Sequence, residues 1–210
     1  MTVFSSEVEK GRPAGAPEFL AFSPKNGAQV RFYCRPSFWR WVEVEFDPYI
    51  TNVLANKVTL SLDQRKISVS LQYEAQGHQH YVFSKREVPG DIEGKIVACL
   101  ENNGIHCEFL EAQCSRDSQV HVENLLYMLS HINKHREIYT EKNLVTAAQA
   151  IDRCDGTLGG AVHDLLEKYP DSAAALLFEL VRRGRAEISD ARCKAIGGRT
   201  KIDNVRVRYG

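Results

Sequence analysis

Two-residue alternation between positions 57 and 84 constrains the fold more than any other feature of the sequence. Val58, Leu60 and Leu62 alternate with hydroxyl residues, and the pattern resumes in "KISVSLQY" and again in "HYVFSK". Alternation with a period of two places every second side chain on one buried face. Gly77 marks a turn between the last two runs. The segment therefore predicts neighbouring strands of a sheet with one buried face.

Helical patterns flank this β region. The run "SFWRWVEVEFDP" closes at a proline, and "PGDIEGKIVACLENNG" is stopped by Asn103-Gly104. A short strand pattern, "IHCEFLEAQ", and another helical run, "VHVENLLYMLSHINKHREI", come next. Upstream, Asn26-Gly27 marks a turn in "FLAFSPKNGAQVRFYCRP". Strands that alternate with helices in this way favour an α/β layer over an all-β sandwich.

From about Tyr139 onwards the pattern is helical. The runs are "NLVTAAQAIDRC", "TLGGAVHDLLEKYP" and "DSAAALLFELVRRG", followed by the strand-like "RAEIS" and "KIDNVRVRY". We expect Asp171 to cap the third helix and Gly184 to end it in a left-handed conformation. Three short helices and then one or two strands are the outline of a winged helix-turn-helix.

These patterns predict three parts of the chain. A flexible arm rich in Gly, Pro and charge covers 1–18, an α/β domain covers 19–138, and a winged-helix-like domain covers 139–210. Six cysteines include no Cys-x-x-Cys pair, and the sequence has no signal peptide and no long apolar run. We therefore expect reduced thiols in a cytoplasmic protein. Cys107, Cys114 and His121 lie too far apart to favour a zinc knuckle.

Charge is balanced overall but unevenly distributed. The chain has 27 Lys and Arg against 27 Asp and Glu, whereas positions 176–210 carry nine basic and four acidic residues. A basic segment beside an acidic body is compatible with contacts to DNA phosphates, and equally with an internal balance of charge. The residues predicted to bind DNA are Arg182, Arg183, Arg185, Lys194, Arg199 and Lys201.

Taken in order, several stretches resemble the TnsA-type endonucleases, which are transposon subunits with a PD-(D/E)XK nuclease domain and a C-terminal winged helix. The stretches are "WVEVEFDPYI", "KISVSLQY", "HYVFSKRE", "GIHCEFLEAQ", "VENLLYMLSHI" and "AALLFELVRRGRAEIS". The resemblance runs from about residue 30 to 205. It implies a restriction-endonuclease-like mixed sheet flanked by helices, followed by a small winged-helix-like domain.

The residues at the family's metal site depart from its pattern. The resemblance puts Ser70 at the aspartate position, Phe83 at the acidic position of the next strand, and Lys85 at the lysine position. Mg²⁺ requires hard oxygen ligands; a serine hydroxyl replaces a carboxylate poorly, and phenylalanine cannot ligate. The three positions therefore imply a vestigial site with no catalytic residue and no metal.

A second alignment leaves an active site open. Glu74, His78 and His80 cluster at the turn, and Glu43 and Glu45 lie upstream. With such relocated ligands the chain would be an active Mg²⁺-dependent DNA endonuclease.

The leading expectation is a noncatalytic DNA- and partner-binding protein linked to transposition or another mobile element. It would have no cofactor, and its partner would be a transposase or an ATPase subunit. Two alternatives remain beside it: the active nuclease with relocated ligands, and a pure protein-interaction adaptor that does not touch DNA.

Overall fold

The computed structural model describes residues 5–7, 11–62, 64–111 and 116–205. The chain forms two compact units. The first consists of Met1–Glu45 and Tyr49–Cys114, and the second of Phe46–Pro48 and Ser115–Gly210.

The first unit is an α/β structure, as the sequence predicts. Its elements are β1 (Ser5–Glu7), β2 (Phe19–Ser23), β3 (Ala28–Phe32), α1 (Arg35–Phe46), β4 (Ile50–Leu62), β5 (Arg65–Ala75), β6 (His78–Ser84), α2 (Gly90–Glu101) and β7 (His106–Leu110). A mixed sheet has the strand order β1-β4-β5-β6-β7, and β2 pairs with β3 in a separate hairpin.

The alternating segment forms the antiparallel centre of this sheet. β4 pairs with β5 and β5 with β6, whereas β7 runs parallel to β6 after the α2 crossover. Gln76 and Gly77 join β5 to β6 with φ angles of 52° and 79°. Two consecutive left-handed residues are the pattern of a two-residue type I′ turn, whose twist matches that of the flanking strands. The predicted turn at Gly77 is therefore confirmed.

One face of the sheet packs against α2. Val58, Leu60 and Val69 from the sheet are buried in one cluster with Ile96 and Leu100 from α2. The apolar residues whose helical spacing predicts α2 are the residues that face the core. Gly104, with a φ of 69°, follows the end of α2 at the predicted stop signal.

The β2–β3 hairpin and part of the predicted N-terminal arm also form regular structure. Gly27 has a φ of 62° in the turn between β2 and β3, where the sequence predicts one. Part of the predicted arm forms β1, because Ser5 pairs with Leu60 at the outer edge of β4. The arm therefore contributes an edge strand to the sheet.

The second unit contains four α-helices, a short 3-10 helix (Arg136–Ile138) and a short hairpin in its described part. The elements are α3 (Arg116–Lys134), α4 (Glu141–Arg153), α5 (Leu158–Leu166), α6 (Ala173–Arg182), β8 (Ala186–Ile188) and β9 (Ile202–Asn204). β8 and β9 are antiparallel. The unit begins at α3 rather than at the predicted position 139, because Tyr127 and His131 of α3 pack their rings on Phe178 of α6 at 5.7 and 5.5 Å.

Helix caps in this unit agree only in part with the sequence. Thr157 accepts a hydrogen bond from the backbone of Gly160 and caps α5. The predicted cap at Asp171 is wrong: the N-cap of α6 is Ser172, without a side-chain hydrogen bond. The Tyr169 carbonyl accepts from the first N–H groups instead. Gly184 ends the helix with a φ of 67°, as predicted.

Within the described residues, no helix is both long and apolar enough to cross a membrane. Five cysteines lie in that part of the chain, and all five are free thiols. Cys114, one of the three residues considered above as a zinc knuckle, lies outside the described residues.

Candidate functional site

The three positions that the resemblance assigns to a vestigial metal site do not form a polar site. Ser70 on β5 is only 2% exposed, and Phe83 on β6 is fully buried. Phe83 stacks on Phe109 of β7 with ring centroids 5.3 Å apart, on the face that packs against α2. Lys85 follows β6 and forms an ion pair with the exposed Glu111. These contacts are those of a core and a surface pair, which suit a scaffold rather than an ion-binding site.

The carboxylates of the second alignment are dispersed over the first unit. Glu43 pairs with Arg40 at 3.2 Å, and Glu74 accepts from Asn52 at 2.7 Å. Glu45 is fully buried and accepts a hydrogen bond from Ser23 of the first hairpin. No group of three or more His, Cys, Asp or Glu side chains able to hold a metal ion occurs in the described parts of the chain.

The histidines of the turn belong to an aromatic ladder instead. His80 stacks between Tyr73 of β5 and His106 of β7, with ring centroids 4.9 Å away on each side. His78 meets His106 edge-on at 5.3 Å. Burial, followed by the nearby charges of His106, Arg40 and His78, lowers the pKa of His80. Stacked rings do not converge on one ion, so this arrangement does not form a metal site.

Arg40 closes one side of this ladder. Its guanidinium donates to the Tyr73 hydroxyl at 2.9 Å and to Glu108 at 3.0 Å, in addition to its pair with Glu43. The cation is therefore engaged by two carboxylates and a phenol. We assign it to holding α1 on the sheet.

Three of the six basic residues predicted to bind DNA form a structural cluster. Arg182 donates twice to Glu179, at 2.7 Å each, and Arg183 donates to the same carboxylate at 2.7 Å. Glu179 is only 1% exposed. Arg185, and Arg183 through its other nitrogen, reach Glu141 at 2.9 and 3.3 Å. A buried carboxylate needs such cations, so their first role is to neutralise it.

Helix α6, which occupies the position of the recognition helix in the predicted winged-helix order, is mostly buried. Seven of its ten residues are buried. Phe178 lies under the rings of Tyr127 and His131 from α3. A helix that reads bases must present one face to the major groove. The cover by α3 therefore leaves little of α6 for direct contact with base edges.

The loop between β8 and β9, positions 189–201, carries the remaining predicted residues. Lys194 pairs with Asp190 at 2.8 Å, and this hydrogen bond raises the pKa of Lys194. Arg199 and Lys201 are exposed, as is Arg192, which was not among the predicted residues. In the described part of the chain none of these last three has a carboxylate partner. The loop is thus the least neutralised of the basic regions that the sequence singled out.

Asn124 of α3 fixes the conformation of this loop. Its side-chain amide donates to the carbonyls of Ala191 and Lys194 at 2.8 and 2.7 Å, and its oxygen accepts from the N–H of Ile196 at 3.0 Å. Asn124 is one of the largely buried polar residues. Its three hydrogen bonds hold one side of the loop against the helix.

The start of α5 fixes the other side of the loop. The N–H of Gly159 donates to the Gly198 carbonyl at 2.7 Å, and the N–H of Leu158 donates to Thr200 at 2.8 Å. A Cβ atom at position 159 would lie 2.7 Å from the Gly198 oxygen. Glycine at 159 is therefore required by the close approach of the two backbones.

Sequence reasoning found the basic loop but not its supports. The hydrogen bonds of Asn124 span about seventy positions, and no local pattern marks their acceptors. His106 was likewise missed as a member of the ladder, since it reaches His80 only through the parallel pairing of β6 and β7. The sequence did contain a signal for the contact between His80 and His106, because both histidines lie in runs with a strand-like pattern.

Comparison with known proteins adds no family. A scan against protein-family models finds no match, and a search of the curated proteins finds none. The geometry of the residues therefore carries any functional inference.

Proposed function

We propose that the chain is a noncatalytic DNA-binding protein that also binds a protein partner. Its resemblance to transposon end-cutting subunits suggests a link to transposition or another mobile element, with a transposase or an ATPase subunit as the partner. The observation that carries the proposal is the basic loop at 189–201, which is fixed at both sides and bears three exposed cations free of carboxylate partners in the described chain.

The order of elements in the second unit supports a winged helix. α4, α5 and α6 are followed by the β8–β9 hairpin, and Thr157, ahead of α5, forms an isolated bridge to Lys201. In winged-helix domains a short strand between the first two helices joins the hairpin in this manner. The loop at 189–201 then corresponds to the wing.

The positions of the charges suggest which part of DNA is bound. Arg192, Arg199 and Lys201 can neutralise phosphates, and such contacts carry no base information. The cover over α6 disfavours major-groove readout. We therefore expect DNA binding with strong salt dependence and weak sequence preference. Arg182, Arg183 and Arg185 would support this surface indirectly through Glu179 and Glu141.

The state of the vestigial positions supports the absence of cleavage. A two-metal or one-metal nuclease site needs carboxylates at the sheet edge. Buried Ser70 and Phe83 offer no such ligands. We expect supercoiled plasmid to stay intact with Mg²⁺ or Mn²⁺. Nicking that is lost in a Glu74→Gln variant would favour the relocated-ligand nuclease.

A protein-interaction adaptor is the second candidate, and the arginine cluster favours it. Arg182, Arg183 and Arg185 are already engaged with acidic residues. An adaptor would then use its charge for internal balance and need no DNA.

Fluorescence anisotropy with a short DNA duplex separates these candidates. The triple variant Arg192→Ala/Arg199→Ala/Lys201→Ala should lower affinity and reduce the slope of log K against log salt by about 2 to 3, close to one per phosphate contact. Arg12→Ala/Lys57→Ala/Arg65→Ala removes the same charge from exposed positions of the first unit. It should change the slope by much less. Absence of binding at low salt, or equal effects of the two triple variants, would leave the adaptor as the better description.

A further inference from the structure

A second polar feature lies in the first unit. A cavity of about 440 Å³ opens between the segment 13–17, the start of α1 and the adjoining ends of β5 and β6. Its size falls in the range of small-molecule sites. The lining side chains that matter here are Tyr33, Cys34, Lys66, Ser68, Ser84 and Arg86.

Ser84 is the most informative residue of this lining. It is only 4% exposed, and in the described part of the chain its hydroxyl has no hydrogen-bond partner. Its oxygen is not one of the fully buried unpaired polar atoms of the described residues, so it keeps some accessible surface. Because Ser84 lines the cavity, a bound group would supply the missing partner. Ser68, on the neighbouring strand, brings a second hydroxyl to the same space.

The charge of the lining favours an anion. Lys66 and Arg86 both reach the cavity, and neither has an ion-pair partner among the described residues. Glu87 is the acidic residue of the lining, and it already has an interaction within the protein. Two cations and one engaged carboxylate leave a net positive site.

The start of α1 adds to this field. Tyr33 and Cys34 lie just before the helix and line the cavity, and the first turn of α1 carries no acidic residue. The N-terminus of a helix has a partial positive charge and unpaired N–H groups, which attract phosphate. The unpaired Ser84 hydroxyl at the cavity and the two cations point to the same class of ligand independently of the helix.

We propose that this cavity binds the terminal phosphate of a phosphate monoester of about nucleotide size. Ser84 and Ser68 donate hydrogen bonds to phosphate oxygens, and Arg86 and Lys66 balance the charge. A free nucleotide and a 5′-phosphorylated DNA end present the same chemistry. The vestigial positions Ser70, Phe83 and Lys85 are not among the lining residues.

The site does not depend on the proposed DNA contacts of the second unit. Its residues belong to the first unit, whereas the basic loop belongs to the second. The two proposals can therefore fail separately. The triple loop variant should bind the phosphate probe as the unchanged protein does.

Calorimetric titration of the full chain with three probes tests the proposal. Deoxyadenosine monophosphate should bind, inorganic phosphate should bind more weakly, and deoxyadenosine should not bind. Ser84→Ala should weaken nucleotide binding by about tenfold, as expected for a lost hydrogen bond to a charged group. Equal binding of the nucleoside and the nucleotide, or no binding of any probe, would overturn the proposal.

Exposed variants guard against a folding defect in Ser84→Ala. Lys66→Ala/Arg86→Ala removes two exposed cations and should weaken binding by about tenfold or more, because charge-assisted contacts are the strong ones. Arg65→Ala/Lys57→Ala removes equal charge outside the cavity and should leave binding within about twofold. If both double variants bind the nucleotide alike, the ligand does not occupy this cavity.

Two oligonucleotides identify the source of the phosphate. In the triple loop variant, a single strand with a 5′-phosphate should bind more tightly than the same strand with a 5′-hydroxyl if DNA ends are the ligand. Equal binding of the two strands, together with binding of the mononucleotide, assigns the cavity to free nucleotides. If neither the mononucleotide nor the 5′-phosphorylated strand binds, the proposed phosphate site is wrong. That result does not bear on DNA binding by the basic loop, because the variant used here lacks the cations of the loop.

Discussion

Asn124 on α3 holds Lys194 in the loop at 189–201, because its side-chain amide donates to the Lys194 carbonyl at 2.7 Å. The same side chain bonds Ala191 and Ile196. A single buried amide thus satisfies three backbone groups of a loop that has little regular structure of its own. Asn124 lies in "VENLLYMLSHI", one of the stretches that resemble TnsA-type endonucleases, and the structure gives this residue a stabilising role.

Asn124→Ala should destabilise the second unit and loosen the loop. Three hydrogen bonds are lost, so we expect a decrease of about 2 to 4 kcal/mol in the free energy of unfolding. Urea denaturation measures this decrease, and hydrogen exchange at the Ile196 amide should accelerate. Gln119→Ala on the same helix removes an exposed amide that bonds only Glu123 in the described chain. It should change stability by less than about 0.5 kcal/mol. Unchanged exchange at Ile196 in Asn124→Ala would contradict the role assigned to Asn124.

The ion cluster around Glu179 gives the second prediction. Glu179→Ala leaves the guanidinium of Arg182 only 12% exposed and without its main carboxylate. Breaking a buried pair by removing one partner costs about 3 to 5 kcal/mol. We expect a loss of this size in urea denaturation.

Glu187→Ala is the matched control for this cluster. Glu187 is an exposed acidic residue on β8. Its removal should alter the free energy of unfolding by less than about 0.5 kcal/mol. If Glu179→Ala were no more harmful than Glu187→Ala, the arginines would be free to bind DNA directly.

Two glycines with opposite surroundings give the third prediction. Gly159→Ala brings a Cβ atom to within 2.7 Å of the Gly198 oxygen, whereas at Gly94 in α2 a Cβ atom meets nothing within 4 Å. Gly159→Ala should therefore lower the free energy of unfolding by about 1 to 3 kcal/mol. Gly94→Ala should raise it by about 0.5 to 1 kcal/mol, since alanine restricts the unfolded chain and suits a helix. Thermal unfolding of both variants checks the opposite signs, and a shared sign would refute the close contact at 159.

The sequence predicted the features of this fold that depend on neighbouring residues. The alternation from Val58 to Phe83 predicts the strands correctly. A period of two decides which side chains are buried, and this does not depend on which strand pairs with which. Gly77 and Gly184 were found because left-handed backbone at turns and helix ends strongly favours glycine. Both kinds of signal lie within a few residues of the feature that they predict.

Features that depend on distant partners were not predicted. Arg183 and Arg185 belong to a basic run in the sequence, and only the fold shows that Glu141, more than forty positions away, pairs with both. The unit boundary moved for the same reason, since the contact of Tyr127 with Phe178 joins segments some fifty positions apart. Charge runs in a sequence therefore overstate the free charge of a surface until their partners are known.

The ladder around His80 makes the stability of the first unit depend on pH. Burial and the adjacent His106, Arg40 and His78 lower the pKa of His80 from its ordinary 6.5. Glu108, which opposes this shift, also faces the ring. The folded state therefore takes up the proton at lower pH than the unfolded state does.

Stability should fall as pH decreases through about 6.5 towards the lower pKa of folded His80, since the unfolded chain then binds more protons. Above about pH 6.5 this contribution is fully present. His80→Phe keeps an aromatic ring against Tyr73 and cannot titrate, so its urea midpoint should change less between about pH 7.5 and about pH 5.5. Some dependence should remain, because burial also lowers the pKa of His131 in the second unit. Parallel curves for the two proteins would show that His80 titrates alike in both states.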